Sequence, residues 1–206
     1  MINFFKSIFK KPNNSKITSM SIFQSTLERS RENHEIISIW QYNSDKNSLV
    51  GYVTEISEEH ITLKHYTVYG KCDGLIAIKI SNIKTIDFND DYTKVLECVI
   101  QYSSIFDKPS DFQLNIGFSN NWQFDALHKL VTSENQVASF EINGSEYFTG
   151  LVTEISEQDF ILNCIGKNGE DCGNAVYRIE DVSEIRVNDL DNRRRLLLYN
   201  WRKTSL

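Results

Sequence analysis

Several features that mark particular protein classes are scarce in this 206-residue chain. It contains only two prolines and nine glycines, which excludes collagen-like and low-complexity sequences. No apolar run reaches the roughly 18–20 residues that a membrane-spanning helix requires. With 40% hydrophobic and 24% charged residues, the composition is instead that of a folded globular protein with a substantial core.

Motifs for catalysis or metal binding are also missing. None of the four cysteines has a partner at C-x-x-C spacing, and no H-x-x-x-H pair or G-x-S-x-G elbow occurs. We therefore expect no metal, no cofactor and no catalytic site. The N-terminus lacks the apolar stretch and small-residue cleavage site of a secretory signal, which predicts a cytoplasmic protein with reduced thiols.

The charge is unevenly distributed along the chain. The formal net charge is −6, but residues 1–16 and 189–206 together carry +7, so residues 17–188 carry −13. An acidic body with basic ends disfavours a uniformly basic nucleic-acid binder. It favours a protein partner, and a basic one fits best.

The chain contains an internal repeat. Gly51–Glu58 recurs as Gly150–Glu157 with seven of eight positions identical, 99 residues further along. Over positions 51–90, fourteen of the forty residues match their counterparts at the same offset. This level of identity indicates a duplication, and it predicts two similar units in tandem.

Each unit reads as a short helix followed by five short strands. The helices are predicted at Ser21–Arg31 and Trp122–Thr132, and the strands alternate apolar and polar residues, as at Val53 and Glu55. Five such strands in an open sheet would leave exposed edges, so we expect each unit to close into a small barrel. The predicted organisation is an N-terminal amphipathic segment, barrel 1, a linker and barrel 2, at residues 1–16, 17–103, 104–118 and 119–206.

The repeat carries the pattern Gly-x-Val-x-x-Ile-x-x-x-x-Ile-x-Leu. In the first copy its residues are Gly51, Val53, Ile56, Ile61 and Leu63, and in the second they are Gly150, Val152, Ile155, Phe160 and Leu162. A second block follows at Ile78–Ile83 and at Tyr177–Val182. Both blocks resemble the Sm/LSm-like family, which includes the bacterial host-factor RNA chaperone. The resemblance implies a mainly β protein of two tandem five-stranded Sm-like barrels, each preceded by a short α-helix. Edge strands of such barrels often pair subunits into rings, so two alternatives are open here: a homo-oligomer through the edge strands, or a monomer that hides these edges internally.

The resemblance also implies RNA binding, but the residues of the family's base pocket differ here. Glu59 and Gln158 stand where the family stacks a base, and Ser57 and Ser156 stand where it has an aspartate. Because stacking contributes about 1–3 kcal/mol per base, the uridine pocket is expected to be absent. A divergent RNA-binding regulator remains the alternative, with contacts from Lys79, Arg178, Arg193, Arg194 and Arg195.

Two further features are candidate interaction sites. The turn between the third and fourth strands of each copy is rich in glycine and charged residues. These glycines indicate either an ordinary tight turn or an exposed recognition loop. The candidate recognition residues are Lys71, Cys72, Asp73, Glu170, Asp171 and Cys172. Residues 1–11 are amphipathic on a helical wheel. They are predicted to pack on the protein itself, on a partner groove, or on a membrane surface as a peripheral contact through Phe4, Phe5, Ile8 and Phe9.

These observations favour a non-enzymatic protein–protein interaction module, either an adaptor or an inhibitor of the immunity type. The acidic body, the duplication and the missing catalytic groups support this class. The alternatives are the RNA-binding regulator and a membrane-surface adaptor that uses the N-terminal segment.

Overall fold

The computed structural model describes residues 21–42, 48–108, 111–114, 121–144 and 146–204. The first repeat contains one helix, five strands and a second helix: α1 (Ile22–Asn33), β1 (Ile37–Gln41), β2 (Leu49–Ile56), β3 (His60–Tyr66), β4 (Cys72–Lys79), β5 (Ile83–Phe88) and α2 (Asp91–Gln101). The second repeats this order: α3 (Trp122–Thr132), β6 (Val137–Ile142), β7 (Tyr147–Ile155), β8 (Asp159–Ile165), β9 (Asp171–Arg178), β10 (Val182–Val187) and α4 (Leu190–Thr204). One 3-10 turn precedes the fifth strand of each repeat, and another covers Ser103–Asp107.

The two sheets are antiparallel and open, so the predicted closed barrels are wrong. The strand orders are β4-β3-β2-β1-β5 and β10-β6-β7-β8-β9. Among the described residues, no pairing joins the two outer strands of either sheet. The helix placement also differs from the prediction, because each repeat has a second helix after its fifth strand.

Both faces of each sheet are covered by helices, which is the physical reason that closure is not needed. On one face of the first sheet, Leu27 of α1 packs with Ile37, Ile39 and neighbouring strand residues. On the opposite face, Leu96 of α2 packs with Ile36 and Val50. Helices α3 and α4 cover the second sheet in the same way. Each repeat is therefore a helix–sheet–helix sandwich whose apolar residues are buried without a barrel.

A glycine in the second strand of each repeat permits a close approach between strands. A Cβ on Gly51 would lie 1.9 Å from the Lys64 carbonyl oxygen, and one on Gly150 would lie 2.0 Å from the Asn163 carbonyl oxygen. Only glycine fits this spacing. Each second strand also has a register shift a few residues later, after Val53 or Val152, which marks a bend at the same place in both sheets.

The two repeats join through α2 and α4. Cys98 and Val99 of α2 form a buried cluster with Leu198 of α4, and Leu197 packs against it. Cys98 and Leu197 are equivalent positions, as are Val99 and Leu198, so the two helices contact each other through matching faces.

The buried Arg194 links this joint to both sheets. Its Nε donates to the Val68 carbonyl at 2.9 Å, and its Nη1 donates to the Lys167 carbonyl at 2.6 Å. These two carbonyls belong to equivalent positions of the two repeats. One guanidinium therefore clamps the β3–β4 turn and the β8–β9 turn together.

Candidate protein-interaction groove

An open groove lies at one end of the first sheet, between the two helix layers. Its volume is about 380 Å³, and it is lined by Arg29, Glu35, Ile36, Phe88, Asn89, Thr93, Lys94 and Glu97. The Arg29 guanidinium pairs with the Glu35 carboxylate at 2.5 Å and lies 4.6 Å from the centre of the Phe88 ring. The lining thus combines an aromatic surface with two cations and two carboxylates.

The local sequence explains how these side chains reach the groove. Strand β5 ends at Phe88, and Asn89 follows with a positive φ of 54° that turns the chain. Asp90 then caps α2, because its side chain accepts from the Thr93 backbone amide while Thr93 Oγ1 accepts from the Asp90 amide. This capping box fixes the first turn of α2, so Lys94 projects beside Asn89.

In the second repeat, the equivalent place is filled by the chain's own residues 106–108 and 111–112. The Nη1 of Arg193 donates to the carbonyls of Phe106 at 3.4 Å and Lys108 at 2.7 Å. The Nδ2 of Asn188 donates to the Phe112 carbonyl at 2.9 Å. The Lys129 ammonium lies 5.6 Å from the centre of the Phe112 ring.

The residues that hold this segment correspond to residues that line the open groove. Arg193 and Asn188 are the counterparts of Lys94 and Asn89, 99 positions apart. In the first helix of each repeat the offset is 100, because the buried positions 26, 27 and 30 of α1 match the buried positions 126, 127 and 130 of α3. Lys129 therefore corresponds to Arg29. Neither Asn89 nor Lys94 makes a side-chain hydrogen bond or ion pair within the described residues.

The side chains that line the groove are of the kinds that contact peptides. The described residues contain no cluster of histidine, cysteine and acidic side chains able to hold a metal ion. The groove offers two hydrogen-bond donors for backbone carbonyls and one aromatic face.

Sequence reasoning missed this groove, although a signal was present. Ser104–Pro109 reads S-I-F-D-K-P, and Ser7–Pro12 reads S-I-F-K-K-P, so five of six residues match. These are the only two prolines of the chain. The first of these stretches opens the segment that fills the second repeat's groove. Residues 7–12 lie outside the described residues.

The predicted recognition loops are tied to the rest of the protein in both repeats. Lys71 Nζ pairs with Asp107 at 2.6 Å, and Asp73 contacts His65 at 3.4 Å. In the second repeat, the Glu170 carboxylate accepts from the Asn168 amide at 2.9 Å. The Gly173 amide and the Asn163 side chain donate to Asp171, which lowers the pKa of this carboxyl below its usual range. Cys72 and Cys172 are exposed.

A recognition role for these six residues stays a prediction. The turns themselves have a structural role, because a Cβ on Gly70 would lie 2.6 Å from the Val99 carbonyl oxygen of α2.

The predicted RNA contacts fall into two groups. Arg193, Arg194 and Arg195 all donate to backbone carbonyls of the protein itself, and Arg195 also pairs with Asp191 at 2.8 Å. Lys79 is exposed at the end of β4, and the equivalent Arg178 pairs with Glu180 at 3.4 Å. Of these five cations, only Lys79 and Arg178 are exposed, whereas Arg194 is buried and Arg193 and Arg195 are partly buried.

The predicted docking residues Phe4, Phe5, Ile8 and Phe9 lie outside the described residues. Within the part of the chain that the structure describes, no helix has the length and apolar character needed to cross a membrane.

Comparison with known proteins gives no relative from which a role could be transferred. No family model, no curated protein and no solved structure matches the chain. The resemblance to Sm/LSm-like proteins therefore stays a prediction, and the functional argument depends on the geometry alone.

Proposed function

We propose that this protein is a non-enzymatic protein–protein interaction module whose first repeat binds a peptide segment of a partner protein. The observation that carries this proposal is the occupied groove of the second repeat. There, a segment of the chain itself, which includes the end of the Ser103–Asp107 3-10 turn, is held by the counterparts of Lys94, Asn89 and Arg29. A cytoplasmic setting stays part of this proposal.

The occupied groove also defines the chemistry of the partner segment. The partner segment has backbone carbonyls that accept hydrogen bonds from Asn89 and Lys94. It also has an aromatic side chain that packs beside Phe88 and the Arg29 cation. Glu35 is paired with Arg29, whereas the Glu97 carboxylate makes no ion pair among the described residues and is the acidic group left for a basic residue of the partner. This fits the basic partner expected from the acidic body of the chain.

The probe for the test is a labelled peptide with the sequence of residues 104–114, S-I-F-D-K-P-S-D-F-Q-L. Fluorescence polarisation measures its binding to the full-length protein. We expect Asn89→Gly combined with Lys94→Ala to weaken binding about tenfold, because about 1.4 kcal/mol, the value of one to two hydrogen bonds, equals a factor of ten. Glycine at position 89 keeps the positive φ while removing the amide.

Lys84→Ala is the matched control, because Lys84 is an exposed lysine of β5 that does not line the groove. Its affinity for the peptide should equal that of the unmodified protein. If the groove variant binds as tightly as this control, or if the peptide does not bind at all, the proposal is wrong.

The S-I-F-K-K-P stretch at residues 7–12 matches residues 104–109 at five of six positions, and Phe9→Asp in the full-length chain tests whether it competes for the same groove. Tighter peptide binding by this variant would show that residues 7–12 compete, and unchanged binding would show that the groove is free. Both results require a groove that binds such segments.

The other function classes predicted from the sequence have separate readouts. An RNA-binding regulator would retain a uridine-rich oligonucleotide in a salt-sensitive manner and lose it in Lys79→Ala with Arg178→Ala. A membrane-surface adaptor would sediment with anionic vesicles and lose this property in Phe4→Asp with Phe5→Asp. Either result without peptide binding would replace the proposed function.

A further inference from the structure

Two cysteines face each other across the β8–β9 hairpin. Cys164 is half-buried in β8, and Cys172 is exposed near the start of β9. The residues on either side of Cys164 pair across the strands, Asn163 with Asn174 and Ile165 with Asp171, and the register shifts between these pairs. Cys164 therefore lies opposite the stretch 172–173 of the neighbouring strand.

The first repeat shows what side chains at these two positions do. The counterparts of Cys164 and Cys172, 99 positions earlier, are His65 and Asp73. Nδ1 of this histidine lies 3.4 Å from a carboxylate oxygen of the aspartate. The same hairpin geometry therefore places side chains at these two positions next to each other.

Contacts within the second hairpin agree with this placement. A Cβ on Gly166, two residues beyond Cys164 and on the same face of the strand, would lie 3.3 Å from Cys172 Sγ. Burial, together with the neighbouring charge of Cys172, raises the pKa of the Cys164 thiol. Facing residues of adjacent antiparallel strands have Cα atoms about 4.5–5.5 Å apart, which is within the range that a disulfide spans.

We propose that Cys164 and Cys172 are a redox modification site at which a peroxide forms a disulfide between them. The exposed Cys172 reacts first as its thiolate, attacking one peroxide oxygen. The O–O bond breaks, and Cys172 becomes a sulfenic acid while the other oxygen leaves as water after protonation. The Cys164 thiol then attacks the sulfenic sulfur as it loses its proton, the S–S bond forms, and the hydroxide leaves with that proton as a second water. Two thiols are oxidised, and one peroxide is reduced to two waters.

The modified hairpin is the segment that holds α4 in place. Three backbone carbonyls between the two cysteines, those of Ile165, Lys167 and Asn168, accept hydrogen bonds from arginines of α4 at 2.9, 2.6 and 2.8 Å. Two of these arginines also reach the first repeat, Arg194 at the Val68 carbonyl and Arg202 at Asp91. A disulfide across the hairpin therefore stiffens the joint between the repeats.

The test uses the full-length protein treated with hydrogen peroxide, followed by alkylation and trypsin. Trypsin cleaves after Lys167, between the two cysteines, so peptides 130–167 and 168–178 stay together only if a disulfide joins them. We expect this linked pair, a mass lower by two hydrogen atoms, and a melting temperature about 5 °C higher that returns to its original value on reduction.

Cys172→Ser should abolish both the linked peptides and the rise in melting temperature. Cys72→Ser, which removes the exposed cysteine of the other repeat's hairpin, should change neither and is the matched control. Three results would overturn the proposal: a Cys172 that only becomes sulfinic acid, a Cys72–Cys172 bond between molecules, or linked peptides in the Cys172→Ser variant.

Discussion

Arg194 offers a direct test of how the two repeats are held together. Its side chain is buried, with the residue only 6% exposed, and burial lowers the pKa of its guanidinium. It makes two hydrogen bonds, to the Val68 and Lys167 carbonyls, and has no carboxylate within ion-pair distance among the described residues. The residue therefore acts as a donor to two backbone acceptors rather than as half of an ion pair.

Replacing Arg194 with methionine keeps most of the side-chain volume and removes both donors. Two hydrogen bonds from a charged group contribute about 1.5–3 kcal/mol each. The cost of burying the charge, which is several kcal/mol, is recovered in the variant and offsets part of this loss. We expect a net loss of about 2 kcal/mol in the free energy of unfolding.

Urea unfolding of the full-length protein measures this loss. With a denaturant slope of about 2–3 kcal/mol per molar, the midpoint should fall by about 0.7–1 M. Arg178→Met is the matched control, because the Arg178 side chain is 71% exposed and should contribute less than about 0.5 kcal/mol. Equal midpoints for the two variants would refute the role of Arg194 as the clamp between the repeats.

Three further predictions concern single positions. Gly169→Ala should lower the free energy of unfolding by about 3 kcal/mol, and Gly173→Ala by only about 1 kcal/mol, as measured by chemical denaturation. Both glycines have a positive φ, 77° and 79°, but only a Cβ on Gly169 would meet α4, at 2.5 Å. Ser30→Ala should cost about 1–3 kcal/mol by the same assay, because the buried Ser30 hydroxyl donates to the Glu35 carbonyl and accepts from the Val53 amide. Leu130→Ala, at the equivalent position of the second repeat, is the control that creates a cavity without removing a hydrogen bond. A Ser30→Ala loss below about 0.5 kcal/mol would contradict this role. Burial raises the pKa of the Cys98 thiol to about 11, so the folded state keeps a proton that the unfolded state releases near pH 9. The free energy of unfolding should therefore fall as the pH rises from about 9 to 11. An equally steep fall in a Cys98→Val variant would argue against this cause.

The repeat and its strands could be predicted because they depend on local patterns. Alternation at Ile61 and Leu63 places both side chains in the core, where they are fully buried. The matched Asn89–Asp90 and Asn188–Asp189 pairs also have a clear local function. In each repeat, an asparagine with positive φ ends the fifth strand and an aspartate accepts from the first turn of the next helix.

The prediction of closed barrels is wrong because each repeat has a second helix that covers the other face of its sheet. The capping box at Asp90 and the apolar face that includes Val95, Leu96 and Val99 mark a helix after β5. Such a helix buries the second face of the sheet, which removes the main reason for closure. The outer strands β4 and β9 stay exposed along most of their length.

The arginine run Arg193–Arg195 was predicted only as a set of RNA contacts for the alternative function. Arg194 instead contacts the Val68 carbonyl, which comes from a turn in the other repeat. Arg193 contacts the carbonyls of Phe106 and Lys108, in the segment that joins the repeats. Contacts between positions so distant along the chain leave no periodic signal, so only the three-dimensional structure could reveal them.

The differences between the repeats carry more functional information than their shared fold. A duplication produces two equivalent grooves, and both keep an asparagine and a cation at matching positions. In the second repeat these residues hold the chain segment that leads into α3, so its groove is part of the protein's own structure. In the first repeat the same donors have no side-chain partner among the described residues. Donors that the fold itself does not use are available for an incoming segment. We therefore expect the groove of the first repeat, and not the occupied groove of the second, to determine partner binding.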